Sequence, residues 1–362
     1  MSLKLVSIVG ARPQFVKAAM VSRALRAHGV EEVLVHTGQH YDDDMSAIFF
    51  SELRIPAPKH QLGIGGGPHG AMTGRMLAAI EEVLEAERPD RVVVFGDTNS
   101  TLAGALAAVK LHLPVAHVEA GLRSFNRHMP EEINRVLTDH IADLLFAPTE
   151  LAVENLRHEG RPAEAIHMVG DVMFDACLHY GAHARPAIIE RLGLRPRHYV
   201  LATVHRAENT DDVGRLRAIV AGLAMVAAEC PVVWPLHPRT RTALARANLM
   251  PTAPWLTLTD PVGFLDMIAL EKDAVLIATD SGGVQKEAFF HRVPCLTLRD
   301  ETEWSELVRV GWNRLVPPRD AEAVRAAVMG ALARPPPDDA PNLYGEGHTA
   351  AAIAAAIMTT AR

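Results

Sequence analysis

The chain has 362 residues, of which 49% are hydrophobic and 22% charged, and its formal net charge at pH 7 is −7. This length suits two domains, and the composition is ordinary for a soluble globular protein. The negative charge argues against nucleic acid or an acidic membrane surface as a partner, and no apolar stretch approaches membrane-spanning length. Three isolated cysteines and a start without signal-peptide features predict a protein of the reducing cytoplasm.

Apolar runs alternate with amphipathic segments along the first half of the chain. Strands are predicted at 5–9, 33–36, 91–95, 115–118 and 144–147, and helices at 15–27, 71–87, 101–111, 131–143 and 150–159. Thr149 is expected to cap the last of these helices.

The same alternation restarts after a transition at 170–186. Strands are predicted at 199–203, 232–235, 255–258, 274–278 and 295–297, and helices at 212–229, 240–246, 261–270 and 284–291. A polar linker at 334–342 precedes an Ala-rich helix that starts at Thr349.

Alternation of this kind predicts an α/β fold with parallel, doubly wound sheets. Two such blocks predict two Rossmann-like domains with a cleft between them. The expected domains are 1–172, against which a helix at 349–362 packs back, and 173–348.

Charged side chains follow many of these strands, and ligands of open parallel sheets bind beyond the carboxyl ends of the strands. These side chains are Arg12, Lys17, Asp97 and Glu119 in the first half, and His205, Arg206, Asp280 and Glu287 in the second. Cations beside carboxylates indicate a phosphorylated substrate and acid/base chemistry, and therefore an enzyme.

The first two motifs each have an ordinary alternative explanation. GARPQF at 10–15 places Arg12 and Lys17 at a helix N-terminus suited to an anion, but a tight turn with two surface cations explains it equally well. It is neither a Walker loop nor a dinucleotide fingerprint. In GDTNST, Asp97 is a candidate general base if Ser100 and Thr101 cap the next helix; otherwise Asp97 itself is the cap.

Two further carboxylates belong to the same half. Glu119 follows a strand and has nothing to cap, and a surface pair with Arg123 is the less attractive explanation. Pro130 suits the first position of a helix, on which Glu131 and Arg135 lie four residues apart and share a face. A simple ion pair between these two weighs as much as a catalytic role.

The second half carries the features of a phosphate site. His205 and Arg206 would suit a diphosphate. Ser281, Gly282 and Gly283 open a helix whose free amides would suit a phosphate, although a capping box at Ser281 is the alternative. Glu287 could accept both hydroxyls of a ribose. The histidines have no metal-type spacing, and no metal or cofactor is expected.

Taken together, the motifs resemble a known family, the non-hydrolysing UDP-N-acetylglucosamine 2-epimerases, from Gly10 to about Arg299. The motifs are GARPQ, TGQH, GDTNSTLAG, HVEAGLRS, PEEINR, TVHRAEN and DSGGVQKEA. The resemblance implies a glycosyltransferase-B fold, a homodimer, and inversion of carbon 2 of a UDP-sugar by elimination and re-addition of UDP, without NAD or metal. It implies the following site: Asp97, Glu119, Glu131 and His205 as catalytic residues, and Arg12, Lys17, Arg135, Arg206, Ser281, Gly282, Gly283 and Glu287 as substrate-binding residues.

The chain departs from the family pattern at three places. Gln14 replaces the Glu of GTRPE, Ala207 replaces the second Arg of HRRE, and YDDDM follows TGQH. These departures put in doubt the activation by a second UDP-N-acetylglucosamine that some members have.

Other segments resemble a sub-group that acts on UDP-2,3-diacetamido-2,3-dideoxyglucuronic acid for surface polysaccharides. They are LGIGGGPHGAMTGRM, SFNRHMPEEINR and RDETEWSELV. We favour this substrate over UDP-N-acetylglucosamine. Arg75, Arg127 and Lys286 are candidates for binding its extra carboxylate, although ordinary surface charge explains each better. A hydrolysing 2-epimerase, a retaining glycosyltransferase of the same fold and a nucleotide-sugar sensor remain the alternatives.

Overall fold

The structure is a computed structural model that describes residues 3–39, 53, 55–182, 187–336 and 340–360, and only the backbone of Arg12. Contacts divide the chain into two compact units, one made of Met1–Leu178 with Asn342–Arg362 and the other of His179–Pro341. None of the helices that the described residues form could serve as a membrane span.

The first unit is built on a parallel sheet. Its described strands are β1 (Lys4–Val9), β2 (Glu31–His36), β3 (His60–Gln61), β4 (Arg91–Phe95), β5 (Val115–Val118), β6 (Leu144–Ala147) and β7 (Ile166–Met168). Their order is β3-β2-β1-β4-β5-β6-β7, with parallel pairing throughout. The order reverses between β1 and β4, which is where an open α/β sheet binds its ligand.

Helices connect these strands and cover the sheet. They are α1 (Arg12–Ala27), α2 (His69–Glu87), α3 (Asn99–Lys110), α4 (Pro130–Ile141), α5 (Glu150–His158) and α6 (Val172–Gly181). Every residue of β4 is buried, as expected for a Val-rich parallel strand covered on both faces. Thr149 caps α5 as predicted, because its side chain accepts a hydrogen bond from the amide of Ala152.

The second unit has a parallel sheet of its own. Its described strands are β8 (Val200–Thr203), β9 (Val232–Pro235), β10 (Leu256–Thr259), β11 (Leu276–Thr279), β12 (Cys295–Thr297) and β13 (Asn313–Leu315). Their order is β10-β9-β8-β11-β12-β13. The reversal lies between β8 and β11, the two strands that lead into His205 and Asp280.

The remaining helices follow in chain order. They are α7 (Ala187–Arg191), α8 (Ala207–Thr210), α9 (Val213–Ala227), α10 (Pro238–Arg246), α11 (Phe264–Asp273), α12 (Gly282–Phe290), α13 (Ser305–Arg309), α14 (Ala321–Ala333) and α15 (Thr349–Thr359). The last of them, α15, belongs to the first unit and packs against α1.

The predicted α/β class with two parallel sheets is confirmed, and the errors concern short or Ala-rich elements. Strands β3, β7 and β13 are only two or three residues long and show no periodicity. The predicted transition at 170–186 contains α6, and α14 was missed. A start signal for α14 was present, since Asp320 accepts a hydrogen bond from the amide of Ala323.

Candidate functional site

Residues after β1 and β4 and at the start of α4 line a pocket in the first unit. Lys17, Asp97 and Glu131, all predicted from the sequence, lie in its wall, together with the amide side chains of Asn99 and Asn134. Two carboxylates and a cation therefore face one space, which is the arrangement that acid/base chemistry on a bound molecule requires.

Glu119 lies beside this pocket and forms an ion pair with Lys17. Its backbone has φ 73°, in the left-handed region that residues with a side chain rarely occupy. At Gly96, which has φ 62°, an added Cβ would lie 3.3 Å from Glu119 Oε2 and 3.5 Å from Lys17 Nζ. The pair fits because residue 96 has no side chain. The alternative partner, Arg123, binds Asp139 instead.

Asp97 is held by the guanidinium of Arg135, whose Nη2 donates to Asp97 Oδ2 at 2.6 Å. The other arm, Nη1, donates to Glu132 Oε2 at 2.9 Å. The alternative explanation, a simple ion pair between Glu131 and Arg135, is therefore not supported, because Arg135 binds the next carboxylate along the helix. Among the side chains that the structure describes, the Glu131 carboxylate has no protein partner. Pro130 is the first residue of α4, as predicted.

Glu132, which the sequence analysis did not single out, fixes the loop between β5 and α4. Its oxygens accept hydrogen bonds from the amides of Ser124 and Phe125, each at 2.9 Å. Burial opposes ionisation of this carboxyl, but these bonds and Arg135 hold the pKa of Glu132 below its usual value.

Gln14 occupies the position where the resembling family has a carboxylate. Its Oε1 accepts from the amides of Gly10 and Ala11 at 2.7 and 3.0 Å, and its Nε2 donates to the carbonyl oxygen of Phe95 at 2.6 Å. An amide can satisfy both sides because it has an acceptor and a donor end. Gln14 therefore ties the start of α1 to the end of β4.

Of the two residues expected to cap the helix after GDTNST, Thr101 belongs to a capping box, in which its hydroxyl accepts a hydrogen bond from the amide of Thr98, and Ser100 does not. The cap is Thr98, whose hydroxyl accepts from the amide of Thr101, and α3 begins at Asn99. Asp97 is not the cap either, so its side chain is available to Arg135 and the pocket.

A buried pair that was not predicted from the sequence lies next to the loops that carry Asp97 and Glu119. His117 of β5 contacts Asp139 of α4, with 2.7 Å between Nδ1 and Oδ1, and both side chains are fully buried. The other ring nitrogen lies 2.7 Å from the carbonyl oxygen of Gly96. The signal available was a histidine inside an otherwise apolar strand, since a buried polar side chain needs a partner.

Asp280 organises the candidate site of the second unit. Its buried carboxylate accepts from the amide of His205 at 2.9 Å, the amide of Arg206 at 3.0 Å and Asn209 Nδ2 at 3.0 Å. These bonds fix the turn that carries His205 and Arg206 at the end of β8.

The Arg206 side chain is partly exposed and lies 3.6 Å from Glu303, measured between Nη2 and Oε1. Arg299 donates to Glu303 Oε2 at 2.9 Å, so this carboxylate faces two guanidinium groups. A Cβ on Gly282 would lie 2.5 Å from Glu303 Oε1, so a side chain at the first residue of α12 would displace this carboxylate. The structure thus brings Arg206 to the N-terminus of α12, where anions bind favourably.

His205 carries a side chain that is 36% exposed. Partial burial, together with the charges of His237, Arg206 and Arg239, outweighs the attraction of Asp280 and lowers the pKa of His205. A neutral imidazole at pH 7 can both donate and accept a hydrogen bond, so His205 can transfer a proton or bind a phosphate oxygen.

Ser281 is the N-cap residue of α12, but its side chain makes no capping hydrogen bond in the structure. The capping-box alternative is therefore not supported. Gly283 and Glu287 lie on the first turns of the same helix, where an added Cβ at 283 would be 4.0 Å from a Glu287 carboxylate oxygen.

Two predictions fall outside the described residues. They are the role of the Arg12 side chain and the departure from the family pattern at YDDDM, residues 41–45. Of the candidates for an extra carboxylate, Arg75 donates to the carbonyl oxygen of Gly66 and Arg127 is exposed. Lys286 is buried with its Nζ 4.2 Å from the ring centre of Trp304. Within the part of the chain that is described, no group of three His, Cys, Asp or Glu side chains could hold a metal ion.

Comparison with known proteins gives a consistent result. The sequence pattern of the UDP-N-acetylglucosamine 2-epimerase family matches residues 23–358. A UDP-2,3-diacetamido-2,3-dideoxy-D-glucuronate 2-epimerase of Pseudomonas aeruginosa is 52% identical over 97% of this chain and 98% of its own length. A UDP-N-acetylglucosamine 2-epimerase homolog of Methanococcus maripaludis is 54% identical over 87% of this chain and 88% of its own.

Among solved structures, the UDP-GlcNAc 2-epimerase of Methanocaldococcus jannaschii in complex with UDP-GlcNAc and UDP is similar. It is 45% identical, and the match covers 99% of this chain and 100% of that one with a TM-score of 0.88.

Proposed function

Because the chain belongs to the UDP-N-acetylglucosamine 2-epimerase family and is a UDP-sugar 2-epimerase, we propose the following roles for its residues. The observation that carries the assignment is the set of carboxylates Asp97, Glu119 and Glu131 at the strand-end pocket of the first unit. Inversion at a carbon needs proton transfer on both faces, and a single carboxylate cannot reach both.

In the first unit, one carboxylate removes the proton from carbon 2 while the bond between carbon 1 and the UDP oxygen breaks. The product is a glycal of the 2-acetamidoglucal type, whose double bond joins carbons 1 and 2. A second group then protonates carbon 2 on the opposite face, and the UDP oxygen bonds to carbon 1 again. Asp97, Glu119 and Glu131 are the residues to which we assign these two proton transfers. Lys17, Arg135 and Arg12 bind the substrate.

In the second unit, Arg206, Ser281, Gly282 and Gly283 bind the departing diphosphate, and Glu287 binds the ribose. The support is the position of Arg206 beside the first residue of α12. Fixed donors and cations stabilise the charge that develops on the leaving group. His205 acts as a catalytic proton donor or acceptor there, consistent with its lowered pKa.

The substrate we propose is UDP-2,3-diacetamido-2,3-dideoxyglucuronate, with UDP-N-acetylglucosamine as the second candidate. The Pseudomonas relative of that name aligns over nearly the whole of both chains. The Methanococcus relative, named for UDP-N-acetylglucosamine, supports the second candidate.

The experiment is proton NMR of the enzyme in deuterium oxide with each UDP-sugar in turn. Deuterium should enter carbon 2 as the manno epimer forms, with only traces of free UDP, and the faster substrate decides between the candidates. Release of free sugar together with UDP would favour a hydrolysing epimerase. Binding without exchange on either sugar would overturn the assignment.

We further propose a homodimer in the cytoplasm that serves surface polysaccharide synthesis, with functional domains at 1–172 plus 349–362 and at 173–348. Cys177, Cys230 and Cys295, all within the described residues, form no disulfide, which supports a reducing compartment. Light scattering on the purified enzyme and fractionation of cells test the first two points. Loss of the polysaccharide on deletion of the gene tests the third.

A further inference from the structure

We propose that His117 and Asp139 form a buried ion pair, in which His117 carries a proton on both ring nitrogens and Asp139 is a carboxylate. The hydrogen bonds that this second proton makes possible position the loops of Asp97 and Glu119. Both side chains have zero exposure and do not line the pocket, so they are positioning residues. The inference about catalysis rests on the proposed roles of Asp97 and Glu119.

The proton count follows from the atoms at each ring nitrogen. Nε2 lies 2.7 Å from the carbonyl oxygen of Gly96, which can only accept, so Nε2 must carry a hydrogen. Nδ1 lies 2.7 Å from Asp139 Oδ1, and this short contact also needs a hydrogen between the two atoms. A neutral imidazole has one hydrogen and can satisfy one side only.

The second hydrogen resides on His117, because Asp139 is kept ionised by its other partners. Asp139 Oδ2 accepts from Arg123 Nη1 at 2.7 Å and from the amide of Gly121 at 3.0 Å. Burial acts to raise the pKa of Asp139, whereas the charge and the hydrogen bond of Arg123 act to lower it whatever the state of His117.

The charges around this pair balance. Arg123 binds Glu159 through two parallel hydrogen bonds, each 2.7 Å long. The set is therefore imidazolium, carboxylate and guanidinium, all buried, and the partly exposed carboxylate of Glu159, with zero net charge. The other charged groups nearby belong to α1, to the two loops and to α4: Lys17, Glu119, Asp97, Arg135 and His140.

The pair acts on both loops through the backbone. The carbonyl oxygen that His117 binds belongs to Gly96, the residue before Asp97, and His117 itself lies two residues before Glu119. On the far side, Asp139 binds the amide of Gly121, two residues after Glu119. One hydrogen-bonded unit thus fixes the residues that flank both carboxylates.

The first test reads the protonation directly, without any substrate. In enzyme with nitrogen-15 in its histidine rings, NMR at about pH 8, where imidazole in water is neutral, should show one ring with both nitrogens protonated. That signal should disappear in His117→Gln and in Asp139→Asn, and it should persist in His158→Gln, which changes an exposed histidine. A wild-type spectrum in which every ring carries a single proton overturns the proposal.

The second test reads the effect on catalysis. In Asp139→Asn, kcat should fall roughly 10-fold at about pH 8 with little change in KM, because a neutral amide no longer holds the second proton on the buried ring. Asp143→Asn is the matched control, because Asp143, like Asp139, accepts a backbone amide hydrogen bond, here from Val115 of β5 at 2.8 Å, whereas the carboxylate that His117 contacts is Asp139.

A loss that appears as a raised KM, or an equal fall of kcat in Asp143→Asn, would mean that Asp139 is merely structural and would refute the positioning role. If the wild-type enzyme epimerises neither UDP-sugar, the proposed function fails, and the NMR result still decides the protonation of His117.

Discussion

Arg135 Nη2 lies 2.6 Å from Asp97 Oδ2, and this contact joins two residues 38 positions apart in the chain. The same guanidinium donates to Glu132 through its other arm. A planar guanidinium can bind two carboxylates at once in fixed directions, which an ammonium group cannot do. Asp97 is therefore oriented by the geometry of Arg135 as well as by its charge.

Arg135→Lys should lower kcat roughly 10- to 100-fold, because the charge remains but the fixed orientation of Asp97 is lost. The measurement is the initial rate of deuterium entry at carbon 2. Arg325→Lys is the matched control: Arg325 also binds two carboxylates, Glu229 at 2.6 Å and Glu322 at 3.1 Å, on the surface of the second unit. Equal rates for Arg135→Lys and the control would contradict the orienting role.

Asp280→Asn should weaken the binding of UDP at least roughly 10-fold. The NH2 group of the new amide cannot accept a hydrogen bond, so at least one of the buried donors that Asp280 now satisfies would lose its acceptor. The turn of His205 and Arg206 would then shift. Titration calorimetry with UDP measures the effect. Asp260→Asn changes a carboxylate with a side chain 90% exposed and should bind UDP as the wild type does. An unchanged dissociation constant in Asp280→Asn would show that the turn does not depend on this carboxylate.

Glu132→Gln should lower the free energy of unfolding by about 1–3 kcal/mol at pH 7, because charge-assisted bonds to Ser124, Phe125 and Arg135 are lost. The pKa of Glu132 lies below its usual value in the folded protein, so its stabilisation is present above the unfolded pKa and is lost as the pH falls through the folded pKa. Urea denaturation at several pH values should therefore show the difference from wild type shrinking below about pH 4.5. A difference that is constant with pH would indicate a packing effect instead.

Gly222→Ala tests the packing of α9 against α14. A Cβ at this position would lie 2.6 Å from Val324 Cβ and 2.9 Å from the carbonyl oxygen of Ala321, so we expect destabilisation by about 1–3 kcal/mol. Gly330→Ala is the matched control on α14, where nothing lies within 4 Å of the new Cβ. There the helix propensity of Ala should stabilise the protein by about 0.5–1 kcal/mol. Denaturant midpoints that move in the same direction for both variants would contradict this explanation.

The positions of the site residues could be predicted from the sequence, but their partners could not. Asp97, Glu119 and His205 follow strands with clear apolar runs, and parallel strands bring such ends to one edge of a sheet. Helical spacing suggested that Arg135 binds Glu131. Arg135 binds Glu132 instead, because the loop before α4 brings the amides of Ser124 and Phe125 onto that carboxylate.

His117 shows the same limit more clearly. Its strand reads as apolar, and its partner Asp139 lies 22 residues away on a helix. No local pattern joins the two residues, since the contact depends on how α4 packs against the sheet. The cap at Thr98 was a smaller error, because three neighbouring hydroxyl-bearing residues could each have filled that position.

The packing of α15 on α1 has a consequence for how the protein is made. α15 follows the whole second unit along the chain, yet it covers the helix that carries Gln14 and Lys17. A ribosome synthesises the second unit completely before it synthesises α15, and domains tend to fold as units during synthesis. The nascent chain therefore holds a complete second unit while the first unit still lacks one helix, and the outer face of α1 is covered only after α15 emerges and docks.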